Sequence, residues 1–448
     1  MPSDSNFPLE QRIRAPFVKG AGLGKRPRFA DDGWDGDFTQ RAQNAAGNDV
    51  IDVVGTDALD NRLVAGELYR PVLTPIRCQI QANGKLATTN PFFVNNNDTT
   101  PIEIAYMTCT FSVAAGSTST GNVVKDPVGV APGGGSTCMT GTFNLNATAN
   151  TEQIATLVGK RGTPALVLGP GEQLTLKISA VASLAGLFVT VWVRPRQAIS
   201  IAQYHRHANG DIATGVMYLN ILPGTVIRGV AMRWGTAANN AGTVTMDITK
   251  DASGTAPGAG TSILTAAQSV KGTANTTVYP ALAASAATLT MAVGDCLSLK
   301  TAGTLTALAD LVVTVFFAAG PPQHIVVGMS SWDAAAVDRT VFQADNNYYQ
   351  VVDCWQVWST VSTSNTQRLT KDSGVVAPGA GTGLQTDNTN TGILTSGTIN
   401  TPIGSLLLTA VSTKPTLVLG PGDCLGLKNA GTTASLAGVF TSVLLRKM

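Results

Sequence analysis

The chain repeats itself three times, and that constrains its fold more than any other feature. Lys125-Asp126 precedes Ala131-Pro132-Gly133, Lys250-Asp251 precedes Ala256-Pro257-Gly258, and Lys371-Asp372 precedes Ala377-Pro378-Gly379. The three lysines stand 125 and 121 residues apart. A second landmark keeps step: Gly171-Glu172, Gly294-Asp295 and Gly422-Asp423 each open a Leu-rich run that ends in Lys177, Lys300 and Lys428. Ala82-Asn83-Gly84 and Ala208-Asn209-Gly210 link the first two copies. The copies also close alike, on Ser183 to Val193, Ala307 to Phe317 and Ser435 to Leu445. A period this long is that of a small domain, not of a solenoid turn.

Within each copy the apolar runs are short and rich in β-formers, as in Val226 to Trp234 and Thr243 to Thr249. Gly and Pro punctuate them densely, and no stretch sustains a helical apolar period. This pattern predicts an all-β chain of three tandem antiparallel β-sandwich domains, jelly-roll-like, preceded by an extended N-terminal arm. The expected boundaries are 1–71 for the arm and 72–195, 196–321 and 322–448 for the repeats. Pro195 and the Pro321-Pro322 pair follow the last strand of the first two copies, where a ladder has to stop.

Charged residues make up only 13% of the chain, about half the usual share of roughly 25%. A surface so weakly charged offers little repulsion to packing against other copies or into a lattice. The net charge of +2 argues against a strongly basic nucleic-acid binder. The longest apolar run, Leu311 to Ala319, is too short to span a bilayer, and no secretory leader pattern opens the sequence. Six cysteines show no CxxC spacing, and Cys296 and Cys424 stand where the first copy has Gln173. The expectation is six reduced thiols, mostly buried.

The repeated residues read as turn formers. Asp126, Asp251 and Asp372 would accept backbone N–H groups, Pro132, Pro257 and Pro378 would set φ, and Gly171, Gly294 and Gly422 would tip a hairpin. The competing reading is a triplicated ligand or Ca²⁺ site, but recurrence in every copy favours folding. Other chemistry is thin. His205-Arg206-His207 suggests no third metal ligand, and His324 stands alone. Gly20 to Lys25 lacks the elements of a P-loop, and the acidic run Asp31 to Asp37 misses the EF-hand spacing. Nothing calls for a catalytic group, a metal, a cofactor or a small-molecule substrate.

Residues 1–71 differ from the rest. Arg12, Arg14, Phe17, Lys25, Arg26, Arg28, Phe29 and Trp34 interleave positive charge with aromatic anchors, and an acidic stretch follows. Such a segment buries too little to order itself alone, so it is read as a partner-binding arm. Contact with nucleic acid is the lesser expectation.

Thr249-Lys250-Asp251 with Ala256 to Thr261, then Gly294 to Lys300 and Leu305 to Ala309, resembles β-modules of tailed-bacteriophage virion proteins. The likeness covers residues 72–448 and is to the capsid decoration (cement) or fibre-like class, because the long spine helix of a major capsid protein is missing. The resemblance implies a non-enzymatic virion protein on the particle surface. Its implied partners are the major capsid protein lattice and neighbouring copies of itself, with no membrane involved. A tail-fibre or head-fibre receptor-binding protein is the alternative, and it predicts exposed aromatics at Tyr348, Tyr349, Trp355 and Trp358.

Overall fold

The computed structural model describes residues 36–43, 49–55, 73–80, 86–96, 101–160, 162–194, 199–206, 212–318, 324–331, 338–344, 348–360, 366–373, 376–384, 393–394, 399–404, 417–430 and 439–447. Two compact units are present, Met1–Pro71 with Lys160–Gly162, and Val72–Gly159 with Thr163–Met448. In the smaller unit β1 (Gly36–Gln43) pairs antiparallel with β2 (Asp49–Gly55). The expectation of an extended arm holds no such element. It overlooked Val50, Ile51, Val53 and Val54, a density of β-formers that suits a two-stranded ribbon.

The larger unit contains three successive sets of strands, here called modules. The first holds β3 (Thr74–Ile80), β4 (Thr89–Val94), β5 (Ile102–Thr110), β6 (Thr120–Asp126), β7 (Ser136–Thr137), β8 (Phe143–Asn144), β9 (Gln153–Ile154), β10 (Val167–Leu168), β11 (Gln173–Ile178) and β12 (Leu187–Arg194). The second holds β13 (Ile199–Arg206), β14 (Gly215–Leu219), β15 (Thr225–Arg233), β16 (Thr245–Asp251), β17 (Thr261–Ser262), β18 (Gln268–Ser269), β19 (Thr290–Met291), β20 (Cys296–Ala302) and β21 (Leu311–Ala318). The third holds β22 (His324–Ser331), β23 (Arg339–Gln343), β24 (Tyr349–Val357), β25 (Thr366–Asp372), β26 (Thr382–Gly383), β27 (Ile393–Leu394), β28 (Val418–Leu419), β29 (Cys424–Ala430) and β30 (Val439–Lys447).

The sheet orders repeat. One sheet per module runs β10-β5-β12-β3, β19-β15-β21-β13 and β28-β24-β30-β22. The other runs β4-β11-β6-β7, β14-β20-β16-β17 and β23-β29-β25-β26. In each module the first strand pairs with the last, the second with the last but one, and the third with the short strand before that. A long antiparallel hairpin is thereby rolled into two sheets, which is a jelly roll. The all-β sandwich architecture expected from the turn pattern is the one the chain adopts.

The closing strand of each module carries apolar or hydroxyl residues on both faces. In β12, Val189, Val191 and Val193 fill the module's own core. Trp192, on the opposite face, lies in a cluster with Phe342, Tyr349 and Val351 of the third module. In β21, Val313, Val315 and Phe317 point inward, while Val312 and Phe316 join the first module's core. In β30, Val443 and Leu445 point inward, while Phe440 and Leu444 join the second module's core. A strand covered on both sides reads as a continuous apolar run and not as an alternation. Each core is therefore one module's interior plus the outer sheet face of the next, in the cyclic order one, two, three, one. The contact is heterologous and closes after three steps, which gives the larger unit a threefold layout.

Candidate functional site

The repeated aspartates are turn clamps. Asp126 Oδ2 and Oδ1 accept the N–H groups of Gly133 at 3.0 Å and Gly135 at 2.9 Å. Asp251 holds Gly258 at 3.1 Å and Gly260 at 2.8 Å, and Asp372 holds Gly379 at 3.0 Å and Gly381 at 2.8 Å. All three carboxylates are buried. Burial pushes the Asp372 carboxyl up, and the two glycine N–H bonds oppose that rise. Glycine is compelled here by close approach. A Cβ at Gly135, Gly260 or Gly381 would fall 1.9, 2.1 or 2.0 Å from the carbonyl oxygen of the lysine preceding the aspartate. The prolines Pro132, Pro257 and Pro378 sit inside these loops, each before a glycine at positive φ.

Each lysine reaches the short strand that opens the second landmark. Lys125 Nζ donates to Pro164 O at 2.8 Å and Val167 O at 2.9 Å, Lys250 Nζ to Ala287 O and Thr290 O, and Lys371 Nζ to Val418 O at 2.6 Å. Glu172 and Asp423 pair with Lys125 and Lys371 at 3.2 and 3.0 Å. They also accept from Gly169 and Gly420, as Asp295 does from Ala292. Gly171, Gly294 and Gly422 do take positive φ, but the turn they make is not a hairpin tip. The strands on either side of it belong to different sheets, so the chain crosses the sandwich there. Local sequence shows the reversal but not which sheet receives it.

The junctions between modules are the larger site. The second strands, β4, β14 and β23, slip register at Phe92, Met217 and Val341, a β-bulge in the same place three times. A bulge leaves its extra residue outside the ladder. The freed carbonyls of Phe92 and Val341 are taken across a junction, by Gln203 Nε2 at 2.9 Å and by Arg77 Nη1 at 2.9 Å. Gln203 and Arg77 hold the same register on the first strand, and Gly328 holds it in the third module. Hydroxyls on the closing strands follow the same pattern. Thr314 Oγ1 accepts from Val94 N at 3.4 Å, and Ser442 Oγ donates to Leu219 O at 2.7 Å. Aromatic rings seal the seams: Phe93 meets Phe316 edge-on at 6.2 Å, and Trp192 meets Phe342 edge-on at 5.8 Å.

A landmark that sequence reading missed fixes the rims of the junctions. Asn150, Asn275 and Asn400 all adopt positive φ, and their N–H groups bond the carbonyls of Phe111, Trp234 and Trp358, each at 2.8 Å. The carbonyls of Asn275 and Asn400 accept from Gly129 and Gly254 of the preceding module. The signal was an Asn-Thr pair every 125 residues. Arg233 reinforces the first junction. Its buried guanidinium spans to the carbonyls of Gly171 at 3.2 Å, Pro127 at 3.1 Å and Val130 at 2.5 Å, while Thr277 donates to Gly171 O at 2.7 Å. Burial lowers the Arg233 pKa, and the nearby Asp126 works against that.

Where first strands meet, Arg77 N donates to Gln203 Oε1 at 3.1 Å. Two residues along, His205 is half-buried as a residue, yet both ring nitrogens are sealed from water. That desolvation lowers its pKa to about 3. Arg206 and Arg77 add to the effect and the Gln79 backbone opposes it. A neutral, sealed ring is poorly placed for the metal role considered from sequence, and His207 lies outside the described residues. Among the described residues no group of three or more His, Cys, Asp or Glu is placed to hold a metal ion. Five of the six cysteines are buried and all are free, with burial pushing the thiols up.

The aromatic cluster expected on the third module does not form. Tyr349 and Trp358 are core residues. Trp355 is partly buried, with its Nε1 donating to Asp353 at 2.8 Å, and Tyr348 alone of the four is exposed. Strand alternation and the neighbouring module hide what a cluster in sequence suggested. Arg12, Arg14, Phe17, Lys25, Arg26, Arg28, Phe29 and Trp34 lie outside the described residues. The larger unit thus defines a class by its geometry, single-chain proteins that close three jelly rolls into a threefold body. No family model matches the chain, and no curated protein matches its sequence.

Proposed function

We propose that the chain is a structural protein of a virus particle, a capsid decoration protein. It seats its three modules at a local threefold position of the major capsid lattice, and the segment before β3 fastens it there. The observation that carries this reading is the closure of three heterologous junctions within one chain. A body with that layout presents three similar rims at once, as a trimer does. Decoration then acts by adding buried contact across the seams of the shell. The low charge supports lattice packing, and the repeated acids are spent on backbone N–H groups, which supports a folding role for them.

The alternative fibre reading predicts exposed aromatics at Tyr348, Tyr349, Trp355 and Trp358 in the third module, and Tyr349 and Trp358 sit in its core. That observation favours decoration. The test is deletion of residues 1–60. The shortened chain is expected to keep the cooperative melting of the modules and to lose binding to purified capsids. Full occupancy of capsids by the shortened chain would overturn the fastening role.

A further inference from the structure

The apolar seams between modules continue to the surface. Val128 lies in the first junction, where a Cβ on Gly171 would come within 2.9 Å of Val128 Cγ2 and 2.6 Å of Tyr279 Oη. Val293 and Ile399 are exposed neighbours of Gly294 and Asn400, two backbone points at which the second and third modules meet. Tyr348, 57% exposed, stands over Gly420, two residues before the Gly422 that faces Glu152 of the first module. Val376 is exposed in the third Ala-Pro-Gly loop, at the position of Val130, whose carbonyl takes Arg233 in the first. The three loops concerned, Pro127–Gly135, Ala252–Gly260 and Ser373–Gly381, contain no Asp, Glu, Lys or Arg.

A second observation points to the same end of the modules. β3 starts at Thr74 opposite Val193, at the far end of β12. β10 ends beside the start of β5 at that same end and runs on into the Gly171 turn. β3 therefore begins at the end of the first module that carries the Gly171 turn.

We infer that these junction rims form one docking face with a threefold layout. Its occupant is a protein lattice whose subunits meet at a threefold position and present uncharged, apolar surface there. The inference rests on the virion reading above. Apolar side chains that extend a dry seam gain most when a matching apolar surface covers them. A charged partner surface would be desolvated against loops that have no charge to offer it.

The test uses the full chain and capsids of the same virus assembled without it. Two paired variants, Val293→Lys with Ile399→Lys and Tyr348→Lys with Val376→Lys, place charge on the face. Thr265→Lys is the control: it is also exposed, but its backbone and hydroxyl bond Ala281 within the second module, away from the junction contacts. Each pair is expected to weaken capsid binding at least about tenfold, the effect of some 1.4 kcal/mol, with the thermal transition unchanged and the control binding like the parent. Parental binding by both charged pairs, or an equal loss in Thr265→Lys, overturns the docking face while leaving the virion reading intact. A parent chain that binds no capsid overturns both.

Discussion

Asp251 and His205 show how much one side chain can hold when its surroundings are dry. Asp251 uses each carboxylate oxygen on a different glycine N–H, at 2.8 and 3.1 Å. Asparagine keeps one acceptor and turns a donor toward the other N–H. Asp251→Asn should therefore cost about 1.5–3 kcal/mol, since the lost bond is charge-assisted and buried. Chemical denaturation read by tryptophan fluorescence measures this, and a change within error would refute the clamp. His205 carries a pH signature. Its folded pKa of about 3 lies below the ordinary value of 6.5, so the unfolded chain binds a proton that the folded chain refuses. Stability is fully present above about pH 6.5 and falls as pH drops toward about 3, by an amount of up to about 5 kcal/mol at the acid end. His205→Gln, matching Gln79 at the same register of the first module, should flatten the melting temperature between about pH 4 and 6. An unaltered slope in that variant would assign the acid loss to other groups.

At the scale of elements, the turns were legible and the bulges were not. The Lys-Asp and Ala-Pro-Gly strings name their own geometry, because an acid accepting loop N–H groups and a glycine forced by close approach are local requirements. Phe92, Met217 and Val341 carry no such mark. Their register slips depend on the strand opposite, and the carbonyls of Phe92 and Val341 matter because Gln203 and Arg77 arrive from another module. Arg233 was equally invisible, an arginine in a β-run whose acceptors lie 62 to 106 residues away in the chain. Arg233→Met should cost about 3 kcal/mol by leaving the buried carbonyls of Pro127 and Val130 without this donor and that of Gly171 with Thr277 alone. Thr277→Val removes the other donor to Gly171 O. The two changes share an acceptor, so a double-mutant cycle is expected to show coupling of about 0.5 kcal/mol or more. Strict additivity would mean that the two donors act independently.

The whole larger unit is held by seams and not only by its connecting peptides. Each junction buries large side chains such as Phe316, Trp192 and Leu444, and a fully buried side chain of this kind contributes about 1.5–3 kcal/mol. A protease site inserted at 195–198, then cut, should leave the first module in complex with the other two on gel filtration. Separate elution of the fragments would show that covalent linkage is what maintains the ring. The sequence by itself determined the triplication, the all-β class, the strand-and-turn grammar and the role of the repeated aspartates, because each rests on neighbours close in the chain. Only the tertiary structure decided that the outer face of every closing strand is buried, that bulge carbonyls find donors in another module, and that the third-module aromatics lie inside. Those outcomes depend on which surface covers which. Side-chain periodicity records that a face is covered, but it does not record by what.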